Sequence, residues 1–344
     1  MAVGTFVATL LYWLGGALLL VAAYFCAWLQ YHHDVFVYKT KCKDKKWAKP
    51  DDYSTIIANL QPIATKKLYF IRHGESTWNV TFNRDKVTFI FRLIYSCVYD
   101  AYLTLTQSDS WFIDSPLCAT GVEQADSARQ YIKAKHTTSD HAKFLHDGRA
   151  ILVCSNLRRC LSTAIVALYD RLKRSEEKLV ILPWLQEITN NPDSVSITPA
   201  FTLPRPSWFD RNAPIMKPFD MNKSYATMLD PTENFGNKPV KGNGKQRIDA
   251  FNEVPALYCI RLILWLFSDA VDTDTVVLCG HSLWFMSYFK EFLPLDSNHP
   301  SKKKKMKNGA IVYLQVSLYE TQQGKVRLDL SGLFPQTIHI IATQ

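Results

Sequence analysis

The sequence predicts an α/β fold of three layers, with helices on both faces of a mostly parallel central sheet and an N-terminal transmembrane helix before it. Short apolar runs alternate with segments of helical length, an order typical of parallel strands joined by helices. Three of these runs stop abruptly at polar residues, as the buried strands of such sheets do. A long uncharged stretch at the start of the sequence predicts the transmembrane helix.

The composition limits the class of protein and of partner. The chain has 344 residues, 47% of them hydrophobic, which is enough to bury a large core. Its formal net charge of +9 favours anionic partners such as phosphate esters, acidic lipid or nucleic acid, but does not choose among them. The eight cysteines form no C-x-x-C pair, which argues against a zinc site or a redox motif and favours a reduced catalytic part.

The first residues of the chain differ in composition from the rest. Residues 1–31 contain no Asp, Glu, Lys or Arg and are long enough to cross a bilayer, which needs about 20 apolar residues. We therefore predict a transmembrane anchor over residues 1–31, in contact with the membrane through residues 2–31, and a single-pass membrane localisation. A basic linker over residues 32–65 follows, and then one catalytic domain over residues 66–344.

The linker is rich in lysine between Lys39 and Lys49. Because cytoplasmic flanks of membrane spans carry the excess of lysine and arginine, these side chains predict that the catalytic domain faces the cytosol. They also offer a contact for anionic lipid.

The first strand is predicted from Leu68 to Ile71, an apolar run that ends on Arg72 and His73 and turns on Gly74. Open α/β sheets keep their chemistry at the carboxyl ends of their strands. A cation and an imidazole at this position therefore indicate a pocket.

Three further segments follow the first strand. Residues 85–105 are apolar with few charges and predict a helix. Three interpretations of this helix are open: a flap over the pocket, a surface lying on a membrane, or an ordinary core element. Thr120 is the predicted N-cap, with Glu123 three residues on, of a helix that runs to about Lys135. Residues 150–154 predict a second strand, which a helix follows.

The second half of the chain continues the alternation of helices and strands. The predicted elements are a strand at 179–182, an irregular Pro- and Asn-rich excursion at 190–244, a helix at 247–269, a buried strand at 275–279 and a closing β pair at 310–317 and 325–330. The irregular excursion and residues 85–111 show the weakest patterns, so we expect them to determine substrate specificity.

Polar groups follow three of the predicted strands. They are Arg72 and His73, then Ser155 with Arg159, then His281. Parallel strands put their ends on one edge of the sheet, so two histidines and two arginines are expected to share a pocket. Arginine binds phosphate oxygens with paired donors at any physiological pH, and a neutral imidazole can attack phosphorus. The pattern indicates phosphoryl chemistry.

Five ordered landmarks between about residues 66 and 317 resemble the histidine phosphatase superfamily, also called the phosphoglycerate-mutase-like superfamily. They are the R-H-G-E run from Arg72 to Glu75 with Asn79, the D-S-P-L run from Asp114 with Gly121, Gln124 and Ala125, the S-N-L-R-R run from Ser155 to Arg159 with Thr163 and Ala164, then Glu187, and last His281. Cys160 departs from the family pattern, in which alanine is usual at that position.

The resemblance implies a phosphomonoester hydrolase that works through a phosphohistidine intermediate on His73, here tethered by the predicted anchor. In that mechanism Arg72, Arg159 and His281 hold the phosphoryl oxygens and offset the charge that develops during transfer. Glu187 is the implied proton donor to the leaving oxygen and later helps to activate water.

Ser76 and Asn79 are expected to add hydrogen bonds to the substrate phosphate. Glu75 has two open interpretations, since it either steers the substrate or pairs with an arginine as a structural partner. No metal and no other cofactor are expected, because the fixed cations take the electrostatic role that a metal would have.

Two alternative functions stay open. Phosphoglycerate mutases resemble E-R-H-Y-G after the acidic residue, whereas this chain has E-I-T-N-N-P-D from Glu187 to Asp193, so a phosphatase is favoured over a mutase. The other alternative is a non-catalytic module that docks a phosphoprotein. In either case the expected ligand is a phosphorylated small molecule or a phosphoprotein.

A second lysine cluster runs from Lys302 to Lys307. Its interpretations are a solvated loop, a contact for anionic lipid, and recruitment of a highly phosphorylated substrate. No nucleic-acid partner is expected, because the lysines lack the interleaved aromatic residues of a stacking platform.

Overall fold

The computed structural model describes residues 59–189, 191–237, 273–293, 297–320 and 326–329, together with nine helical positions between Val7 and Cys26. The chain divides into two compact units, Met1–Ala48 and Lys49–Gln344. All elements named below belong to the second unit. The predicted helix at 247–269 and the lysines from Lys39 to Lys49 lie outside the described residues.

The predicted single-pass membrane localisation is wrong. In the described part of the chain, no helix is both long enough and apolar enough to cross a bilayer, which needs about 20 largely apolar residues. The longest helix there has 19 residues and carries Arg92 and Asp100. Most of residues 1–31 lie outside the described residues, and the predicted boundaries of anchor, linker and catalytic domain stay predictions.

Seven strands form a single mixed sheet among the described residues. They are β1 (Ala64–Arg72), β2 (Ile151–Cys154), β3 (Leu179–Ile181), β4 (Leu229–Asp230), β5 (Thr275–Gly280), β6 (Ile311–Glu320) and β7 (Val326–Asp329), in the order β4-β3-β2-β5-β1-β6-β7. The first five of that order run parallel, and β6 and β7 run antiparallel to their neighbours. The α/β class and the mostly parallel sheet are therefore confirmed, as is the closing β pair.

Nine helices accompany the sheet in the described residues. They are α1 (Thr77–Phe82), α2 (Phe89–Gln107), α3 (Ala119–Lys135), α4 (Asp140–Asp147), α5 (Arg158–Ala167), α6 (Tyr169–Ser175), α7 (Trp208–Asn212), α8 (Met221–Met228) and α9 (Ser282–Phe292). Short 3₁₀ turns occur at Pro183–Leu185, Pro192–Ser194, Pro214–Phe219 and Pro300–Lys302.

Strand β1 divides its side chains between two hydrophobic cores on opposite faces of the sheet. Leu68 and Phe70 pack in one core with α9, where the rings of Phe70 and Phe285 are 4.4 Å apart between centroids. Tyr69 and Ile71 pack in the other core with α3 and α5. Burial of each such side chain stabilises the fold by about 1.5–3 kcal/mol, and a slip of one residue would move all four to the wrong face. The register of β1, and with it the position of its carboxyl end, is firmly specified.

Helix α3 ends at Lys135 as predicted but begins at a different residue. Cys118 is the N-cap in extended conformation, and Thr120 lies inside the first turn. No side chain caps this end, so the predicted capping box of Thr120 and Glu123 is wrong. The start of α3 is determined by contact with the turn after β1, described below, rather than by local capping.

Helix α2 confirms the helix predicted at 85–105 and has two different faces. Ser96, Asp100 and Leu103 are buried, and Asp100 Oδ1 accepts hydrogen bonds from Ser110 Oγ and Trp111 N at 2.7 Å each. Large apolar side chains on the rest of the helix are exposed, namely Ile90, Phe91, Ile94, Tyr95, Val98, Tyr102 and Leu105. The interpretation of this segment as an ordinary core element is therefore wrong.

Candidate active site

The carboxyl ends of β1, β5 and β2 lie side by side at one edge of the sheet. Backbone hydrogen bonds continue across these ends, from His73 N to Gly280 O at 3.1 Å and from Ser155 N to Cys279 O at 3.0 Å. Since His281 follows Gly280 directly, the structure brings His73, Ser155 and His281 together. The rings of His73 and His281 are 5.1 Å apart between centroids.

Two glycines allow the turn after β1 to lie directly against the start of α3. A Cβ atom on Gly74 would lie 2.2 Å from Gly121 O, and one on Gly121 would lie 2.1 Å from Glu75 O. Neither position has room for a side chain. Around this contact, Gly74 N donates to Thr163 Oγ1 at 3.0 Å and Glu75 N donates to Gln124 Oε1 at 2.8 Å. Motif residues that are distant in the sequence thus fix the backbone beyond β1.

His73 is held in one orientation and one protonation state. Its ring is buried, with 4% exposure, and Nδ1 lies 2.6 Å from Gly74 O. A carbonyl oxygen can only accept, so Nδ1 carries the hydrogen of this bond and Nε2 carries the lone pair when the ring is neutral. Burial, then Arg159 and Arg72, hold the pKa of His73 well below its ordinary value. At neutral pH the ring is therefore neutral.

Two guanidinium groups lie near His73, that of Arg72, which is partly buried, and that of Arg159, which is fully buried. Burial and the neighbouring Arg159 lower the pKa of Arg72 to about 10, with Glu187 opposing, so Arg72 stays charged at neutral pH. Arg72 Nη1 donates to Met306 O. The Nε atoms of Arg72 and Arg159 are both buried and have no hydrogen-bond partner among the residues that the structure describes. Such donors suit a bound anion, because a buried donor without an acceptor costs about 1–3 kcal/mol.

Arg158 and Arg159 start the same helix and have different surroundings. Arg158 Nη1 binds Asp109 Oδ1 at 2.6 Å, and Arg158 Nε donates to Asp114 O at 3.1 Å. Asp114 Oδ1 also accepts from Arg158 N at 2.8 Å. Arg159 Nη2 instead faces Asp193 Oδ2 at 3.3 Å. Arg158 is thus neutralised by two buried carboxylates, and Arg159 belongs to the pocket.

His281 is fully buried, and its ring contacts two side chains that follow the neighbouring strand β2. Its Nε2 lies 2.9 Å from Ser155 Oγ and 3.3 Å from Cys160 Sγ. The thiol of Cys160 is therefore in direct contact with His281.

Two carboxyl groups lie close to the arginines, and only Glu187 was predicted from the sequence. Glu187 is buried, and its Oε1 accepts from Ile188 N at 2.9 Å. Asp193 is buried too, and within the described part of the chain its Oδ1 has no hydrogen-bond partner. Burial, then Glu187 and Asp114, raise the pKa of Asp193 to about 6 in spite of Arg159. The sequence shows an acid six residues after Glu187, but gives no sign that the irregular loop returns it to Arg159.

Replacing Asp193 with Asn should change how stability depends on pH. The pKa of this carboxyl is about 6 when folded and about 3.9 in an unfolded chain, so the folded state binds more protons between these values. Its contribution to stability is therefore present below about pH 4 and is lost as pH rises to 6. We expect the variant to gain on the order of 2 kcal/mol relative to wild type between pH 4 and pH 7.5, as measured by urea unfolding.

A matched control for this measurement is Glu123→Gln, which removes an exposed carboxylate from α3. The control should keep the same stability difference from wild type at both pH values. A constant difference for Asp193→Asn as well would contradict the assignment of this titration to Asp193.

Ser76 and Asn79, the predicted substrate-binding residues, cap helix α1. Ser76 Oγ donates to Asn79 Oδ1 at 3.1 Å and accepts from Asn79 N at 3.3 Å. Ser76 N also donates to Asn79 Oδ1 at 3.2 Å. The hydroxyl proton of Ser76 is thus used within the cap, which leaves the Nδ2 group of Asn79 as the donor that would serve a phosphate.

Glu75 pairs with Arg84, which supports its interpretation as a structural partner. Arg84 Nη2 lies 2.6 Å from Glu75 Oε2, and Arg84 Nε donates to Glu75 Oε1 at 3.1 Å. This two-point contact holds both carboxylate oxygens.

Neither a protein-family model nor a curated protein matches the chain. Solved structures of phosphatases and of a phosphoglycerate mutase do resemble it. A mycobacterial glucosyl-3-phosphoglycerate phosphatase is 18% identical, with 77% of this chain and 98% of that chain covered and a TM-score of 0.36. A phosphoserine phosphatase mutant from Entamoeba histolytica is 18% identical, with 79% and 97% covered and a TM-score of 0.33. A phosphoglycerate mutase from Bacillus anthracis is 16% identical, with 78% and 93% covered and a TM-score of 0.35. At these identities and TM-scores, the likeness carries no argument about function.

Proposed function

We propose that the chain is a member of the histidine phosphatase superfamily and hydrolyses phosphomonoesters through a phosphohistidine on His73. The observation that carries this proposal is the state of His73. Its Nδ1–H is held by Gly74 O at 2.6 Å, and burial together with two guanidinium groups keeps the ring neutral. A neutral imidazole with a fixed lone pair on Nε2 is the form that attacks phosphorus.

The first step forms a bond between His73 Nε2 and phosphorus and breaks the bond from phosphorus to the ester oxygen. Arg72 and Arg159 offset the charge on the three equatorial oxygens, with His281 as a third contact. The buried Nε donors of both arginines support this role, since neither has a hydrogen-bond acceptor among the described residues. The leaving oxygen takes a proton from Glu187, which is buried beside Arg72.

In the second step, water attacks phosphorus and returns its proton to Glu187. The bond from Nε2 to phosphorus breaks, inorganic phosphate leaves, and His73 is again neutral. Asp193 binds Arg159 in the free site and would be displaced from it, or protonated, when a phosphate takes its place. No metal ion takes part in either step of this scheme.

Trapping of the intermediate tests the proposal directly. We expect brief incubation with p-nitrophenyl phosphate, followed by an alkaline quench, to leave a phosphoryl group on His73 that is stable in alkali and lost in acid. Mass spectrometry of the peptide that contains Arg72 to Glu75 locates it. A phosphoserine in its place would contradict the assigned nucleophile. No phosphoenzyme with any phosphoester would instead favour the non-catalytic phosphoprotein-binding module.

A further inference from the structure

The lysine-rich loop before β6 is attached to the strand end that carries His73. Arg72 Nη1 donates to Met306 O, Asn308 Nδ2 donates to His73 O at 3.1 Å, and Gly309 N donates to Arg72 O at 3.1 Å. Three hydrogen bonds thus join residues 306, 308 and 309 of the loop to the two residues at the centre of the pocket. The position of this loop relative to the pocket is therefore fixed.

The charges of this loop are exposed beside the pocket. Lys304, Lys305 and Lys307 are all exposed, and residues 297–310 include no Asp or Glu. Lys305 and Lys307 flank Met306, the residue that Arg72 contacts. With about 3.8 Å between successive Cα atoms and a flexible four-carbon stem, each ammonium group can come within roughly 10–15 Å of the Arg72 guanidinium.

The lysine cluster repels the neighbouring cations, but it also produces a potential that attracts anions. The lysines repel one another and the two arginines of the pocket, which the fold tolerates because the ammonium groups reach water. Together with the arginines they produce a positive potential that extends from the bottom of the pocket to its rim. An anion that fills only the pocket would satisfy the arginines and leave the lysines without a ligand.

We propose that Lys304, Lys305 and Lys307 form a second anion subsite at the rim of the His73 pocket, which binds a phosphate group of the substrate that is not transferred. This inference rests on the proposed function of the pocket itself. The substrate class that fits is a phosphomonoester with a second phosphate several bonds away from the first. The expected ligand is a soluble bisphosphate, and contact of the lysines with a lipid surface is a contrary outcome that the experiment can detect.

Non-hydrolysable ligands measure the subsite without turnover. Alkane-α,ω-bisphosphonates of two to six carbons are compared with alkylphosphonates of the same length by titration calorimetry. We expect the bisphosphonate of best length to bind roughly tenfold more tightly than its alkylphosphonate, a gain that weakens as salt is added. The triple variant Lys304→Gln, Lys305→Gln, Lys307→Gln should lose this gain and keep its alkylphosphonate affinity within about twofold.

The matched control removes three exposed lysines from the opposite edge of the sheet. Lys135 ends α3, which begins beside Gly74 and is 17 residues or about 25 Å long. Lys143 lies on α4, and Lys178 precedes the amino end of β3. The variant Lys135→Gln, Lys143→Gln, Lys178→Gln has the same net charge as the test variant and should keep the full preference for bisphosphonates.

The outcomes separate failure of the subsite from failure of the proposed function. Equal affinity for both ligand series, or a preference that survives the loop substitutions, would overturn the subsite while alkylphosphonate binding still supports the pocket. No binding of either series would contradict the pocket and the subsite together. Binding to phosphatidylserine vesicles that is lost in the loop variant, with the bisphosphonate preference unchanged, would overturn the subsite in favour of a lipid contact.

Discussion

His73→Ala is expected to abolish turnover without unfolding the protein. The substitution removes the atom that would bond to phosphorus in the proposed mechanism. Loss of an essential nucleophile costs about 10⁵- to 10⁶-fold in kcat where such losses have been measured. We expect a decrease of this size for p-nitrophenyl phosphate, together with loss of the acid-labile phosphoenzyme.

The fold should tolerate this change because the surroundings of His73 do not depend on its ring. The backbone of His73 keeps its bonds to Gly280 and Asn308, and the neutral imidazole leaves no charge to compensate. Removing a buried ring leaves a cavity, which lowers the free energy of unfolding by about 2–4 kcal/mol. Far-UV circular dichroism and urea unfolding check that the variant is folded at the assay temperature.

His136→Ala is the matched control for this experiment. His136 is the C-cap of α3 and lies at the end of that helix distant from Gly74. The control should retain wild-type kcat. Wild-type turnover in His73→Ala would remove His73 from the mechanism.

Arg158→Met should mainly lower stability and Arg159→Met should mainly lower activity, although the two residues are adjacent. Arg158 neutralises Asp109 and Asp114, both buried, so its loss leaves uncompensated carboxylates and should lower stability by about 3–5 kcal/mol. Arg159 faces the pocket, so its loss should lower kcat/KM by about 10²- to 10³-fold. Urea midpoints and kcat/KM measured on both variants test the two assignments together.

The stability loss in Arg159→Met should be the smaller of the two. Its carboxylate partner, Asp193, already has a raised pKa and can take up a proton when the guanidinium is removed. In contrast, Asp109 has a lowered pKa, because Arg158 and three hydrogen bonds outweigh its burial. Adding Asp109→Asn to Arg158→Met should restore part of the lost stability. Equal effects of the two single variants on stability and kcat/KM would contradict the distinction drawn here.

The position of the candidate site could be predicted because its signals are local. Apolar runs that stop at Arg72, at Cys154 and before His281 mark the ends of buried strands, and side-chain alternation fixes the register of such strands. The glycines at 74 and 121 belong to the same pattern. The backbone at Gly74 and Glu75 lies so close to that at Gly121 that a side chain fits at neither glycine.

Other features depended on contacts that no local pattern encodes. Thr120 and Glu123 fit a capping box, yet the N-cap of α3 is Cys118, two residues before Thr120, because the backbone of Gly121 packs on Gly74 and Glu75. The sequence also favoured a membrane span from composition alone. That prediction is contradicted, since in the residues that the structure describes no helix meets the length and hydropathy of a span.

By itself, the sequence predicted six of the seven strands that the structure describes, their mostly parallel order and the set of candidate groups, because periodicity and strand ends are properties of neighbouring residues. The seventh strand, β4, lies in the stretch that was predicted to be irregular. The sequence already assigned Arg159 to the pocket. Only the tertiary structure showed how the two adjacent arginines are paired, since that depends on where Asp109, Asp114 and Asp193 come to lie. It also decided that Asp193 joins the site and that a lysine-rich loop is fixed beside His73. Both result from chain segments far apart in sequence meeting at one edge of the sheet, where burial and Coulomb interaction act over distance and not along the chain.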